Sequence, residues 1–356
     1  MMRVKLKDIT NYSKGSQINR DILLENGKYI YLNGGINPSG KWNAYNVSSK
    51  TITISEGGNS SGYINYITEP FWCGAHCYYL FDGPKNTKYL YYALKSQQER
   101  LFKIRSGACM PNIKKKDLGN FEFEFDFNEK IQIKIVSILD ECNKTINNYK
   151  LELELLDELV KARFVELFGT LDNPTFNYNK STLGELCYKI TDGKHGGCSL
   201  IQGSNRYFVG AREIYDDKVH YENAPEISVD DFEKDYRRCN VEVGDFLIVN
   251  TGATIGKSAI ATDKRTKHTL LQKSVALLKL NQDLLNPEFL KWCYRINTRM
   301  YLVESSSAQP NLLLSKIKAT EIYVPPIKLQ NQFADFVKEV DKSRFIIKSM
   351  IKEGLL

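Results

Sequence analysis

The stretch EKIQIKIVSILDECNKTINNYKLELELLDELVKARFVELF, residues 129–168, decides how the rest of the chain is organised. Its apolar residues Ile131, Ile135, Ile138, Cys142, Ile146, Tyr149, Leu153, Leu156, Val160, Phe164 and Leu167 recur at steps of three or four. That spacing is the α-helical repeat, so it predicts one long helix with a single apolar stripe. Gly169 supplies a stop signal. At ~1.5 Å per residue such a helix reaches ~60 Å, longer than a small domain is wide. Its stripe therefore needs a partner along its whole length. Leu329, Phe333, Phe336, Val340, Ile347 and Ile351 form a second stripe that can supply one. The expectation is a pair of long antiparallel, coiled-coil-like spacer helices, 129–168 and 329–356. They would meet through Ile135, Ile138, Cys142, Tyr149, Leu153, Leu156, Phe333, Phe336, Val340 and Ile347. A plain dimerisation coil would not explain why a further region precedes each helix.

Those preceding regions are imperfect copies of one another. Ser106-Gly-Ala-Cys-Met-Pro111-Asn112-Ile113 matches Ser306-Ser-Ala-Gln-Pro310-Asn311-Leu312. Upstream, Lys88–Tyr92 matches Glu288–Trp292 at an offset of 200, and Leu6–Ile9 matches Leu183–Leu186 at an offset of 177. Downstream, Gln132, Ile135, Ile138, Leu139 and Cys142 match Gln330, Phe333, Phe336, Val337 and Val340. The offset grows mainly in the middle of each copy, so a shared frame encloses two divergent centres. Each copy begins with short strands bounded by Gly, Asn, Ser and Asp: Lys28–Leu32, Thr51–Ser55 and Cys77–Phe81, then Tyr207–Val209, Asp245–Asn250 and Val275–Leu280. A helix follows at 87–104 and 286–303, then the Pro-Asn turn, one more strand and the long helix. The fold class read from this is α+β: two β-rich domains, 1–128 and 169–328, separated by spacer helices.

A length of 356 residues fits about two domains, and 42% hydrophobic residues exclude a disordered chain. The longest apolar run, Tyr89–Leu94, is six residues against about 18 for a membrane span. The charged start, Met-Met-Arg-Val-Lys-Leu-Lys-Asp, lacks a signal peptide's apolar stretch, so a soluble cytoplasmic protein with no membrane partner is expected. Eight cysteines without a CxxC pair read as reduced thiols, and Cys73, His76 and Cys77 find no second ligand pair for a metal. The net charge is +7, while residues 129–168 carry six basic and eight acidic side chains (6 − 8 = −2), leaving +9 elsewhere. Residues 100–116 hold six basic side chains and no acid, and 257–273 hold five against Asp263 alone. Nucleic acid is a permitted partner.

Catalytic chemistry finds little support. Gly252-Ala-Thr-Ile-Gly256-Lys257-Ser258 has three residues between its glycines where a phosphate loop needs four, and a strand rather than a helix is expected after it. His76, His195, His220 and His268 sit in no recognisable triad or metal motif. No catalytic residue and no metal ligand is assigned. The divergent centres do hold loops rich in Lys, Asn, Trp and His, at Asn33–Asn43 and Thr191–His195, whose glycines would let a loop approach DNA closely. Lys and Arg hold phosphates, while Asn and Arg can pair with base edges. The candidate DNA contacts are Lys14, Asn33, Lys41, Trp42, Asn43, Lys194, His195, Arg206, Lys257, Lys264, Arg265 and Lys267.

The half-by-half duplication, the Ala308-Gln-Pro-Asn-Leu312 turn and the step Pro325-Pro-Ile-Lys-Leu-Gln-Asn-Gln-Phe333 into a helix together resemble the specificity subunits of type I restriction-modification systems. Gly244–Val249 with Gly252–Lys257 looks like the strand pair of that family's recognition domains. Glu69–Trp72 and His76–Leu80 resemble recognition domains of related bifunctional restriction enzymes. The resemblance implies two target-recognition domains, each reading half of a bipartite double-stranded DNA site, and helices that dock two DNA methyltransferase subunits. A nuclease-translocase subunit is a further partner. S-adenosylmethionine and ATP with Mg would belong to those partners, this chain holding no cofactor and performing no catalysis. Two departures stand out: Asp126-Phe-Asn128 replaces the Pro-Pro step in copy one, and Leu329 stands where the family often has Glu. The alternatives from other classes are a scaffold built on the helix pair and a nucleotide-binding enzyme using Gly252–Ser258.

Overall fold

The computed structural model describes residues 1–107, 110–297, 300 and 311–354. The serine-rich segment before Asn311, and most of the expected helix beyond 297, lie outside the described residues. The chain divides into two units, Met1–Asn147 and Asn148–Leu356, and the boundary falls inside one helix.

Unit 1 begins β1 (Met2–Lys5), α1 (Leu6–Ile9), β2 (Asn11–Lys14), β3 (Tyr29–Leu32) and β4 (Gly40–Trp42). Next come β5 (Thr51–Ser55), β6 (Ile64–Ile67), β7 (Trp72–Cys73) and β8 (Cys77–Phe81). Helices α2 (Thr87–Lys95), α3 (Gln98–Lys103) and α4 (Lys115–Gly119) precede β9 (Glu122–Phe125) and α5 (Glu129–Phe168). The main sheet is antiparallel in the order β2-β8-β5-β6. Beside it, β3 pairs β7 in parallel and β4 antiparallel, while β1 pairs β9. Strand β5 is buried throughout because alternate side chains point to opposite faces. Ile52 and Ile54 enter a core with Leu90, Leu94, Phe123 and Phe125, leaving Thr51, Thr53 and Ser55 on the other face. The helix expected over 87–104 is broken into α2 and α3, because Gln97 leaves helical geometry at φ −103°, ψ 17°.

Unit 2 repeats this frame. It starts β10 (Lys180–Thr182), α6 (Leu183–Leu186), β11 (Cys187–Asp192) and β12 (Tyr207–Val209). Then follow β13 (Ile214–Tyr215), β14 (Lys218–Val219), α7 (Val229–Cys239), β15 (Phe246–Val249) and β16 (Ser258–Ile260). It closes with β17 (Thr269–Leu271), β18 (Val275–Leu280), α8 (Pro287–Ile296), α9 (Leu314–Ala319), β19 (Glu321–Tyr323) and α10 (Ile327–Gly354). The sheet order β11-β18-β15-β16, the parallel pair β12–β17 and the pair β10–β19 match unit 1 strand for strand. The growth in repeat offset lies between β12 and β15, where the β13–β14 hairpin and α7 are added. Strand β15 is a continuous apolar run because both faces are covered. Phe246 and Ile248 join the core with Phe164, Phe168 and Phe289, while Leu247 and Val249 join Val209, Ile214 and Leu271.

Helix α5 forms where its periodicity predicts. Asn128 Oδ1 accepts from the Lys130 N–H at 3.1 Å, capping its start. Gly169, at φ +74°, ends it by donating its N–H to Val165 O at 2.8 Å. Its two ends are covered differently. Ile135 and Val136 pack on the unit 1 core, and Asp140 accepts from Lys88 Nζ at 2.7 Å and the Tyr92 hydroxyl at 2.5 Å. Towards the C-terminal end α10 runs antiparallel to it: Phe333 meets Phe164 and Phe168 at 5.4 and 5.6 Å between ring centroids, and Arg344 reaches Leu156 O at 3.2 Å and Asp157 at 2.6 Å. Leu156 and Phe336 rest on the same core, and Val340 and Ile347 are buried. A partner along the whole stripe is therefore not what the helix has. Ile131, Ile138 and Cys142 are exposed because the unit 1 core covers the line through Ile135 and Val136, and further along Tyr149 and Leu153 are half-buried. Helix α10 also starts two residues earlier than expected, at Ile327, directly after Pro325-Pro326, whose fixed φ suits a helix start.

Candidate nucleic-acid interface

In an antiparallel sheet the turns at one end come from distant parts of the chain, and here they gather polar and basic residues. In unit 2 one end of the sheet carries the end of β11, the β15–β16 turn and the start of β18. Those segments are Gly193–Gly197, Asn250–Lys257 and Gln272–Ser274. Lys194, Gly196, Thr251, Gln272, Lys273 and Ser274 line a cavity of about 240 Å³ there. The fit is tied by main-chain hydrogen bonds, Lys194 N–H to Leu271 O at 2.7 Å and Asn250 N–H to Ser274 O at 3.0 Å. Lys257 and His195 are exposed beside it.

Unit 1 presents the same end of its own sheet. Here stand Lys14 at the end of β2, His76 before β8 and the turn Glu56–Gly62 between β5 and β6. Glu56, mostly buried, pairs with Lys14 and lies 3.6 Å from His76 Nδ1. Asn33 braces this end from beneath, its Oδ1 accepting from the His76 N–H at 3.2 Å. The segments Pro111–Asn112 and Asn311–Leu312 abut these ends: Gly58 N–H donates to Pro111 O at 2.9 Å, and Leu312 N–H to Asn250 O at 2.7 Å. Arg105 reaches Asn59 O at 3.4 Å, adding a cation from the basic 100–116 run.

The candidates read from the sequence are thus divided. Lys14, Asn33, Lys194, His195 and Lys257 come together at the two sheet ends. Lys41, Trp42 and Asn43 run along and beyond β4, away from that end, and Asn43 Oδ1 is engaged by the Lys28 N–H at 3.2 Å. Arg206, Lys264, Arg265 and Lys267 lie at the opposite end of the β12–β17 pair, before those strands begin. Arg206 stacks 5.1 Å from the Phe232 ring and Arg265 4.6 Å from the Tyr221 ring. Not every gathered cation is free for a ligand. Lys194 is bound to Asp235 and lies 3.9 Å from Asp231, which holds its ammonium above the usual lysine range. Burial pushes the Asp192 carboxyl up, but Arg238 at 2.5 Å and His195 at 3.1 Å more than reverse this, leaving it below the usual range.

His76, Lys273 and Arg105 were absent from the sequence-based set. The copy alignment around Pro-Asn was the signal that could have found Arg105, since it marks the segment that abuts the turn. The turn Gly252–Ser258 joins two paired strands, with Ile248 opposite Ser258, so no helix N-terminus faces its glycines as a nucleotide loop requires. Cys73 and Cys77 are buried, their neighbourhood apolar, and no group of three metal-ligating side chains is gathered among the described residues.

One pH effect follows from the Arg265 clamp. Arg265 donates to Asp263 through Nε at 2.9 Å and Nη2 at 2.6 Å, and holds that carboxyl down at about 2. A carboxyl depressed on folding contributes stability above its unfolded value near 3.9, lost as pH falls toward about 2. With both groups about one-third exposed, the contribution is under ~1 kcal/mol. An NMR titration of the Asp263 side chain should give a midpoint near 2, moving back toward the ordinary carboxylate range in Arg265→Ala.

The comparisons with known proteins bear on the same frame. A family model described as the type I restriction modification DNA specificity domain matches residues 1–156 and again 177–356. The chain belongs to this family. Its role is accordingly DNA recognition within a type I restriction-modification complex, alongside other subunits. A candidate type I specificity subunit of Mycoplasma genitalium is 26% identical over 91% of this chain and 82% of its own length. One from Mycoplasma pneumoniae is 32% identical over 44% of this chain and 40% of its own. The fold is similar to the crystal structure of a type I S subunit from M. genitalium, at TM-score 0.62 and 22% identity, covering 99% of this chain and 92% of that one. A chain from a structure of type I complex assembly and conformational transition shares it at TM-score 0.53 and 14% identity, covering 99% and 96%. No helix among the described residues is long and apolar enough to cross a membrane.

Proposed function

We propose that this specificity subunit reads a bipartite double-stranded DNA target, one half-site per unit, through the corresponding ends of the two four-stranded sheets. The observation that carries this is the repetition: in both units, the same sheet end collects exposed Lys, a histidine and a glycine-rich turn bridged to the repeated asparagine, Asn112 or Asn311. Arg105 in unit 1 and Lys257 and Lys273 in unit 2 hold phosphates, and Lys14 joins them on release from Glu56, while the divergent loops around them read base edges. The chain is a non-catalytic recognition subunit. Two methyltransferase subunits dock on the α5 and α10 helices, and a nuclease-translocase subunit joins the restricting form of the complex. S-adenosylmethionine and ATP with Mg belong to those partners. Half-sites on one face of B-DNA recur about every 10–10.5 base pairs, so a spacer of fixed length selects their separation. Two linked weak readers also gain effective concentration, which makes the split site tighter than either half.

Co-expressing the chain with its methyltransferase in a methylation-free host, and mapping modified bases, tests this. A split motif, two short half-sites around a fixed gap, is expected. A contiguous motif would overturn the one-half-per-unit reading, and failure to assemble with any methyltransferase would favour the scaffold reading instead.

A further inference from the structure

From Gly15 to Gly256, every described glycine but two is accounted for inside the protein: its φ is left-handed, or a Cβ would come within 3.4 Å of a neighbour. The glycines that the sequence marked for close approach to DNA are among those accounted for. A Cβ on Gly34 would stand 2.4 Å from His76 O, and one on Gly193 would stand 2.2 Å from Leu271 O. The two exceptions are Gly57 and Gly197. Neither has a positive φ. A Cβ on Gly197 would meet nothing within 4 Å, and one on Gly57 would meet only Pro111 O at 3.9 Å. Each has room for a side chain and a backbone that alanine adopts. Among the described residues, neither amide N–H donates to a protein acceptor.

They share a sheet end but sit on different turns, the unit 2 counterpart of Gly57 being Thr251, since each bridges the asparagine of the repeated segment. Gly57 opens the turn after β5 in unit 1, and Gly197 lies in the loop after β11 in unit 2. Both belong to the sheet end that carries the basic cluster of its unit. Glycine allows another backbone to come closer than any side chain permits. Main-chain N–H groups are common phosphate donors in DNA complexes. We propose that Gly57 and Gly197 are the points where the sugar–phosphate backbone of duplex DNA lies against the main chain, each amide donating to a phosphate oxygen. This deepens the reading of the sheet ends as the DNA interface and rests on it.

The test uses the full chain assembled with its methyltransferase subunits and a fluorescent duplex carrying the mapped split motif. Affinity is measured across a salt series for Gly57→Ala, Gly197→Ala and the double variant Lys257→Ala/Lys273→Ala, with the unfolding midpoint of each. Each glycine variant should bind at least about tenfold more weakly, the loss of one hydrogen bond to a charged acceptor. Its unfolding midpoint should not fall, because alanine fits that backbone. Its salt slope should stay unchanged, since a neutral amide displaces no counterion. The lysine variant should lose about 0.9 of slope per phosphate contact removed. Glycine variants that bind like the parent while the lysine variant weakens would overturn the proposal and leave the interface standing. A lysine variant that also binds like the parent would overturn the interface itself. Lowered unfolding midpoints in both glycine variants would show that the glycines serve the fold, and would overturn the proposal too.

Discussion

Phe333→Ala is expected to destabilise unit 2 by about 3–5 kcal/mol, the usual range for deleting a buried aromatic ring. The ring is fully buried and sits between Phe164, Phe168 and Trp292 at centroid distances of 5.4, 5.6 and 6.2 Å. All three neighbours belong to rigid helices, so little can move to fill the space it leaves. The contact is also what fastens α10 to the end of α5. Since domains are stable by only about 5–15 kcal/mol, such a loss takes a large share. Urea unfolding should show an earlier transition for unit 2 and an unmoved one for unit 1. Phe345→Ala on the same helix is the contrast: its side chain is 75% exposed, and a change within about 0.5 kcal/mol is expected. A loss below ~1 kcal/mol for Phe333→Ala would mean that α10 is not held by this cluster.

Inserting one heptad of helix-forming residues into α5 is expected to abolish modification of the parent target and to create a new one with the same half-sites and a changed gap. Structure fixes where the insertion belongs. Asp140 is pinned by Lys88 and Tyr92, and Asp157 is pinned by Arg344, so the residues between them are the place that disturbs neither anchor. Seven residues add ~10.5 Å of helix and leave a net rotation of about 20°. With base pairs about 3.4 Å apart, the gap should change by about three. A methylation map that returns altered half-sites with an unchanged gap would refute the assignment of spacing to the helix.

Much of this architecture is legible in the sequence itself. The helix over 129–168 is visible because an apolar residue every third or fourth position leaves few other folds open. The repeated frame is visible because Leu6, Tyr89 and Asn112 occupy the same places as Leu183, Phe289 and Asn311, the first two pairs buried and the asparagines bridged to the matching turns. The stripe of α5 points to α10 correctly for its C-terminal part, and misses the cover of its N-terminal part for a physical reason. A stripe shows that a face is covered, not by what, and near Ile135 the cover is unit 1's own core. The site was harder still. Lys194, Lys257 and Lys273 lie in three separate segments that meet only through strand order. Composition could not tell which end of a strand a loop occupies, so Arg206 and Lys264–Lys267 were grouped with residues they do not meet. His76 carries no local signal at all, because its setting is made by Glu56 and Asn33 from other strands.

The pairing of Phe333 with Phe164 and Phe168 also sets a timetable. On the ribosome, Phe168 emerges 165 residues ahead of Phe333 (333 − 168). At about 5–20 residues per second, that interval lasts roughly 8–33 seconds. Through that time the nascent chain has already made Val160, Phe164 and Phe168, yet the helix that seals them does not exist. Unit 1, whose contacts close within the first 147 residues, needs no such wait. The second half of the molecule is accordingly the part whose yield should depend on chaperones that shield an apolar helix face until translation ends.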